Sequence, residues 1–421
     1  MNIWYFHHYG TPYEIPGMHR PFEFSGEFNK KGNKTAVFAS SYLHYGGWNM
    51  INDKTKILKT EYDGVDTVFI KTCGYENKLK RVMNMVQYWR KLFGVSKWFA
   101  KNYWKPDIII ASSPHPLTML AGIKIAKKLK VPCVCEVRDF WPEVFFYGNL
   151  IKEKGLIGRI LLWGERRIYE KADRLLFLKE GDHTYITERK WDIDNGGKVD
   201  MSKCSYVNNG VDIELFDKRI LESDYEDEDL NSGKFNVVYC GTIRPVNNIG
   251  MLLDVAKLIP DVNFLIYGTG NCVDDLKVRI QNEKIKNVML KGYVDNKYVP
   301  AVLSKSSLNI LNYSGTAYNW SRGNSSNKLF EYLASGKPVL STVKMGYDII
   351  EKYSCGYSVE ECTAENIADA IKRIKELPEA EYELMCKNAR IAAGNFDIRI
   401  LANEYMKVLE DTKNNYRGEK K

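Results

Sequence analysis

No apolar run in this sequence approaches the roughly 20 residues that a membrane-spanning helix requires, so none is expected. The opening residues, MNIWYFHHYG, have neither the basic start nor the apolar stretch of a secretory signal, and a cytoplasmic location is expected. Cysteine is present without pattern. Nine residues, an odd number, show no metal-ligand spacing, and Cys133 and Cys135 alternate along a strand-like run, so neither disulfides nor zinc are expected. Short repeats and low-complexity segments are missing too. What remains, 44% hydrophobic and 27% charged residues, is the composition of a globular protein with a large core.

At 421 residues the chain exceeds what one core usually spans, and two domains are expected. The net charge of +8 is uneven: residues 1–200 carry 32 Lys and Arg against 22 acids, whereas 201–421 carry 29 against 31. An anionic partner should therefore meet the first half.

Strand-like and helix-like segments alternate in both halves. The first half runs NIWYF (strand), PFEFSGEFNKKG (helix closed by Gly32), KTAVFASS, DIIIASS, LTMLAGIKIAKKLK (helix), PCVCEVRD, a long helix near 155–172, and RLLFLK. The second half restarts with FNVVYCGT, GMLLDVAKLI, VNFLIYGTG, CVDDLKVRIQNEK, NVMLKGYV, VPAVLSKSS, LNILNYS and PVLST, followed by a helix near 364–376. Such alternation predicts α/β architecture, two doubly wound parallel sheets in tandem. Ligand crevices are then expected at the carboxyl ends of the strands, facing a cleft between the domains. Between the halves, DKRILESDYEDED (217–229) has seven carboxylates and reads as an interdomain connector.

The most informative stretch is GNSSNKLFEYLASGKPVLST, residues 323–342. Ser326 or Asn327 caps a short helix that ends at Gly336 before Pro338. The first-turn N–H groups have no intrahelical partner and sit at the positive end of the helix dipole, which makes an anion site that Lys328 reinforces. Leu329, Tyr332 and Leu333 have the spacing of a buried face. Glu331, one turn in and on another side, can accept hydrogen bonds from a ribose diol, so the pattern fits a nucleoside diphosphate. Arg244 follows a Gly turn at the end of FNVVYCG, where its guanidinium can grip a phosphate with two parallel bonds. Gly268 and Gly270 in YGTGN make a partial glycine fingerprint, with Val273 where a full one would continue.

These segments, together with GTPYEIPGMHRPFEFSGEF, DIIIASSPHPL, EVRDFWPE, YVNNGVDIELF and YCGTIR, resemble glycosyltransferase family 4 over nearly the whole length. Its members are retaining enzymes of the GT-B fold, two Rossmann-like domains facing across a cleft. The closest likeness is to the bacterial branch that builds surface polysaccharides such as O antigen and capsule, including N-acetylfucosamine transferases. The resemblance implies an acceptor-side domain over 1–212 and a nucleotide-sugar domain over 213–394, with a helix near 395–415 packing back on the first. It implies a UDP-linked donor, a lipid-linked saccharide acceptor, and no metal. Arg244 and Lys328 would bind phosphates, Ser325, Ser326 and Asn327 would line the helix start, Glu331 would hold the ribose, and Gly241, Thr242, Gly268, Gly270 and Tyr293 would complete the donor site. In the first domain, Gly10 and Gly17 are expected where backbone approaches the sugar and diphosphate, with His19 and His115 on the acceptor side and Arg138 and Asp139 as catalytic candidates. Two departures stand out: many relatives have an acid at the position of Gly323 and a His at that of Arg138.

Segment 78–105 has eight basic residues and no acid, with Leu79, Val82, Met83, Val86 and Phe93 on one helical face and Trp89, Trp98 and Trp104 interspersed. It is expected to touch an anionic membrane, which would place the protein peripherally on the inner face of the cytoplasmic membrane. The alternative is a helix pair packed on the sheet with its basic side in water. Nucleic acid is not an expected partner, since no reader motif accompanies the charge. Two other functions share the fold pattern: a nonhydrolysing sugar nucleotide 2-epimerase, which would act on a donor without acceptor, and a noncatalytic sugar nucleotide binder.

Overall fold

The computed structural model describes residues 1–113, 115–315 and 319–416. Two compact units emerge. The first comprises Met1–Leu178, Asp182–Val207 and the chain from Leu401 onward, and the second Lys179–Gly181 with Asn208–Ile400.

The first unit opens with β1 (Asn2–Phe6), α1 (Arg20–Lys30), β2 (Lys34–Ser40), β3 (Ile57–Tyr62), β4 (Val65–Ile70) and the 25-residue helix α2 (Lys78–Asn102). It continues with β5 (Ile108–Ser112), α3 (Pro116–Leu129), β6 (Cys133–Val137), α4 (Trp141–Tyr147), α5 (Leu156–Lys171), β7 (Arg174–Phe177), α6 (Thr184–Glu188) and β8 (Cys204–Tyr206). The sheet order is β3-β4-β2-β1-β5-β6-β7-β8, parallel except for β3 against β4. Both sheet faces are covered, and residues alternate between them. Trp4, Phe6, Phe38 and Ile109 join a core with Tyr88, Leu92 and Phe99 of α2, Met119 and Ile125 of α3, and Ile168 of α5.

The β3–β4 hairpin has no counterpart in the alternation read from the sequence. It turns on Asp63 and Gly64, both left-handed (φ 47° and 75°), and Asp-Gly is a strong two-residue hairpin signal. Its antiparallel edge strand is half exposed, so hydrophobicity alone marks it poorly.

The second unit contains α7 (Ile213–Leu221), β9 (Phe235–Cys240), α8 (Ile249–Leu258), β10 (Val262–Tyr267), α9 (Val273–Asn282), β11 (Val288–Gly292) and α10 (Val299–Ser304). Then come β12 (Leu308–Leu311), α11 (Asn327–Ala334), β13 (Val339–Ser341), α12 (Ile349–Lys352), β14 (Gly356–Ser358), α13 (Ala364–Lys375) and α14 (Glu379–Asn395). All six strands are parallel, in the order β11-β10-β9-β12-β13-β14. The order reverses beside β9, which makes the β9/β12 carboxyl ends the topological switch point. In the first unit the same reversal falls at β1/β5.

The acidic stretch 217–229 is not a connector but part of the second unit. It completes α7 and then folds inward: buried Asp227 accepts from Tyr267 Oη at 2.7 Å and pairs with Lys291 at 2.8 Å. The last helix, α15 (Ile398–Asn415), returns to the first unit after Leu401. There the buried Tyr405 ring meets Phe24 and Phe28 at 5.1 and 5.5 Å. No helix among the described residues is long and apolar enough to cross a membrane.

Candidate functional site

In the second unit, α11 is fixed against the end of β9 by one buried hydroxyl. Tyr332 Oη accepts from the Cys240 N–H at 2.9 Å and donates to the Cys240 carbonyl at 3.1 Å. Leu329, Tyr332 and Leu333 are buried, as their spacing predicts, and Phe330 is buried with them. This clamp brings the start of α11 beside the Gly241 turn: a Cβ on Gly241 would sit 2.9 Å from Lys328 Cδ.

Helix α11 begins at Asn327 with Ser326 at the N-cap, but no side chain caps it. Asn324 Oδ1 takes the Ser326 N–H at 2.8 Å, and the Asn327 and Lys328 amides have no partner among the described residues. Asn209 Nδ2 donates to the Ser325 carbonyl at 2.6 Å and Asn208 Nδ2 to that of Asn324 at 3.3 Å, which holds the loop before the helix. The result is a helix tip whose amides remain available to an anion.

Lys328 completes that tip. Its ammonium lies over the rings of Tyr239 (4.8 Å) and Tyr313 (5.0 Å) and donates to Tyr239 Oη at 3.2 Å. Asn247, with its amide turned so that Nδ2 donates to the Thr242 carbonyl at 2.7 Å, presents Oδ1 to Lys328 Nζ at 3.1 Å. Asn312 in turn anchors this loop through the Asn247 and Asn248 carbonyls. No carboxylate lies within ion-pair distance of Lys328 among the described residues. Burial pushes its pKa down to about 8, against smaller upward effects of Cys240 and Glu331. A desolvated ammonium without a counter-ion is costly by itself and becomes favourable when an anion binds.

The loop stitched to Lys328 also carries Thr242 and Arg244, both exposed, and Arg244 pairs with no carboxylate among the described residues. Glu331 is half exposed one turn into α11, and Tyr293, just past β11, is exposed. Gly268 and Gly270 serve the protein directly. A Cβ at either would meet the carbonyl oxygen of Gly241 or Ile243 at 1.9 Å, because the two loops are zipped by Gly241 N–H to Tyr267 and Ile243 N–H to Thr269, each 2.9 Å. Gly323 has φ +96°, a left-handed region that favours glycine, so an acidic side chain there would strain this backbone.

In the first unit, the carboxyl ends of β1, β5 and β6 gather His7, His8, His115 and Arg138. His8 Nδ1 and His115 Nε2 are 2.5 Å apart, so one imidazole donates to the other. Burial pushes His115 down to about 3 and His8 well below its usual value, so both rings are neutral at physiological pH. His7 is likewise lowered to about 3, by burial and then by Arg138, whose Nη1 lies 3.3 Å from His7 Nε2. The Arg138 N–H bonds Ser113 Oγ at 3.0 Å, and Asp139 is exposed. His115 is buried, and Nδ1 of His7 and of His115 have no partner among the described residues.

Beneath these residues lies a polar knot. Buried Glu136 accepts from Arg20 Nε (2.9 Å), Ser112 Oγ (2.7 Å), Tyr5 Oη (2.9 Å) and Tyr405 Oη (3.2 Å). Burial alone would raise its pKa, but Arg20 and then Arg138 outweigh that and hold it near about 2. In the opening loop, Gly10 and Gly17 make room for protein: their Cβ positions fall 2.9 Å from the Pro21 ring and 2.1 Å from Thr11 Oγ1. His19, at the start of α1, is half buried, with Nδ1 at 3.2 Å from the Thr11 carbonyl and its ring on Tyr13.

Helix α2 is one helix rather than a pair. Of the face read from the sequence, Leu79, Val82 and Met83 are exposed, but Val86 is half-buried and Phe93, like Trp89, Trp98 and Trp104, packs against the core. Trp104 Nε1 donates to Asp66 at 3.1 Å. Sequence reasoning also missed Tyr239, Asn247 and Tyr313 around Lys328. Asn247 lies in the TIRPVNN loop already singled out, and the aromatics stand at strand ends, where burial and site residues look alike.

Comparison with known proteins bears on both units. Residues 222–392 match the family described as Glycosyl transferases group 1, and 60–195 match the Glycosyl transferase 4-like domain. A putative teichuronic acid biosynthesis glycosyltransferase, TuaH, of Bacillus subtilis is 27% identical over 50% of this chain, so the match spans about half of that relative's own length. The UDP-Gal:alpha-D-GlcNAc-diphosphoundecaprenol alpha-1,3-galactosyltransferase of Escherichia coli is 24% identical over 79% of this chain and 80% of its own. Among solved structures, sucrose-phosphate synthase from Thermosynechococcus elongatus superposes with a TM-score of 0.71 over 97% of this chain and 98% of that one, at 16% identity. Alr3699/HepE of Anabaena, solved in complex with UDP, gives 0.68 over 98% and 100%, also at 16%. With a 4-like first domain and a group 1 second domain on the GT-B fold, this chain belongs to the family 4 glycosyltransferases.

Proposed function

We infer that this chain moves a sugar from a UDP-sugar to a lipid-linked saccharide in surface-polysaccharide synthesis, with retention at the anomeric carbon. The observation that carries the reading is Lys328, a desolvated cation that, like the two helix amides beside it, has no carboxylate or backbone partner among the described residues. A diphosphate supplies the missing negative charge. As the anomeric bond breaks, positive charge grows on the sugar ring and negative charge on the leaving diphosphate; Lys328, Arg244 and the α11 tip stabilise the latter. The chain's own cations, rather than a metal, perform this neutralisation, and Glu331 holds the ribose. Arg138 and Asp139 are the first-unit candidates for contact with the reacting sugar. The UDP in the HepE structure and the diphosphoundecaprenol acceptor named for the E. coli relative support the donor and acceptor classes. The enzyme then works at the inner face of the cytoplasmic membrane, with the basic segment 78–105 towards anionic lipid.

The test is a mass-spectrometric screen of UDP-sugars, N-acetylated amino sugars first, against polyprenyl-diphosphate-linked saccharides, with free UDP as second readout. One pair is expected to give a product longer by one sugar with equimolar UDP, at a rate EDTA leaves unchanged. Isomerisation of a donor without acceptor, or no transfer from any UDP-sugar, would overturn the reading.

A further inference from the structure

Helix α5 has two unlike faces. Glu165, Ile168 and Tyr169 are buried, while Leu156, Ile157, Ile160 and Trp163 point outward, with Leu156 77% and Trp163 66% exposed. Leu156, Ile160 and Trp163, spaced four and three apart, form one stripe. Val144 and Tyr147 of α4 and Leu150 of the following turn, all exposed, extend it. The turn is firmly seated: a Cβ on Gly158 would lie 2.5 Å from the carbonyl oxygens of Lys152 and Glu153, so backbone packs directly on the helix. A run of large aliphatics with a Trp, held open to solvent on a rigid support, is unusual for a surface without a partner.

The charges around the stripe are of one sign. Lys152, Lys154 and Arg159 are exposed beside it, and the one outward acid, Glu153, is engaged by Arg189 Nη1 at 2.7 Å. Glu165 is buried, bonded by Tyr169 and Tyr185. Arg166 and Arg167 are paired with Glu170. Helix α3, packed between α2 and α5 on the same sheet face, turns Lys124, Lys127 and Lys128 outward and adds no acid.

We propose that this ridge, residues 144–163, is the first unit's hydrophobic anchor in an anionic lipid surface: Leu150, Leu156, Ile157, Ile160 and Trp163 enter the headgroup boundary, and Lys152, Lys154 and Arg159 engage lipid phosphates. Apolar insertion combined with basic flanks is the chemistry of interfacial binding, and Trp is suited to the headgroup level. The ridge adds the apolar component that the core-packed tryptophans of 78–105 do not supply. The proposal deepens the membrane setting of the transferase reading, yet lipid binding is measured without donor or acceptor.

The test is co-sedimentation of the full chain with phosphatidylcholine–phosphatidylglycerol vesicles at physiological salt, comparing wild type with the double variant Ile160→Ser, Trp163→Ser. Both positions are exposed, so the variant retains its fold, checked by thermal melting and by UDP binding in the same samples. Wild type is expected to pellet with the vesicles and the variant to lose roughly tenfold or more in partition. Fluorescence quenching by brominated lipid should also fall in Trp163→Phe. Wild type left in the supernatant, or equal partition of the double variant, would overturn the proposal. So would a concentration-dependent dimer that only the double variant abolishes in analytical ultracentrifugation, since a second copy would then cover the ridge. Normal UDP binding with failed sedimentation would sink the anchor alone; the reverse would sink the donor site alone.

Discussion

The carboxyl ends of the two sheets treat charge in opposite ways. In the first unit Glu136 and Arg20 neutralise each other deep in the protein, and burial keeps His7, His8 and His115 uncharged. In the second, Lys328 has aromatic faces, a phenol and an amide around it but no carboxylate among the described residues. At one end the buried ion pair is balanced and neutral imidazoles stand beside the Arg138 guanidinium; at the other, Lys328 has no carboxylate among the described residues and can receive an anion. The lesson is that net charge is a poor guide to a local site. In the half of the chain with a surplus of ten positive charges buried Arg20 is paired with Glu136, while in the half with a net charge of −2 half-buried Lys328 has no carboxylate partner among the described residues.

The sharpest way to break this contrast is to unbalance the first unit. Arg20→Ala leaves Glu136 buried without its cation and should cost about 3–5 kcal/mol of stability, read by denaturant unfolding, while UDP affinity of the folded fraction stays unchanged. A stability change below ~1 kcal/mol would show that the knot is not a neutralised pair in this sense.

In the second unit the same logic predicts the reverse pattern. Lys328→Ala and Arg244→Ala should each lower turnover by ~100-fold or more, and Lys328→Met, which retains the apolar stem, should leave the melting temperature unchanged or higher. Unchanged kinetics in both alanine variants would remove the diphosphate assignment.

The pH dependence sharpens the comparison further. Because burial lowers the Lys328 pKa to about 8, the unfolded chain holds this proton more tightly than the folded one. Lys328 therefore makes stability rise with pH between about 8 and the ordinary lysine value near 10.4. A bound diphosphate favours the charged form, so UDP affinity should be full below pH about 8 and fall above it, by up to ~10-fold per unit. Titration calorimetry across this range reads the slope, which Lys328→Met should abolish. The smallest effect is expected at His115: with its pKa near about 3, His115→Gln should not alter the shape of the rate profile between about pH 5 and 8. A lost limb in that window would mean that the histidine titrates there.

Much of this was legible in the sequence because parallel sheets announce themselves through alternating apolar strands and capped helices. The α11 segment is the clearest case: its start at Asn327, its buried face and the left-handed Gly336 all follow from residue chemistry. The hairpin at Asp63-Gly64 was equally marked by its turn but lay outside the alternation. The acidic stretch misled because composition does not reveal that Asp227 finds Tyr267 and Lys291. Around Lys328, the cation was readable, but its cage joins Tyr239 and Asn247, from β9 and the loop after it, to Tyr313 beyond the end of β12, regions that only the fold brings together. The exposed stripe on α5 escaped notice because a buried and an open apolar face have the same periodicity, and the packing partners decide between them.

The most direct test of the central claim is the affinity of UDP for wild type and for Lys328→Met near neutral pH, by isothermal titration calorimetry. If an unpaired lysine at the α11 tip receives the diphosphate, wild type binds and the variant, still folded, binds roughly thirtyfold more weakly or worse. Equal affinity of the two proteins would contradict it.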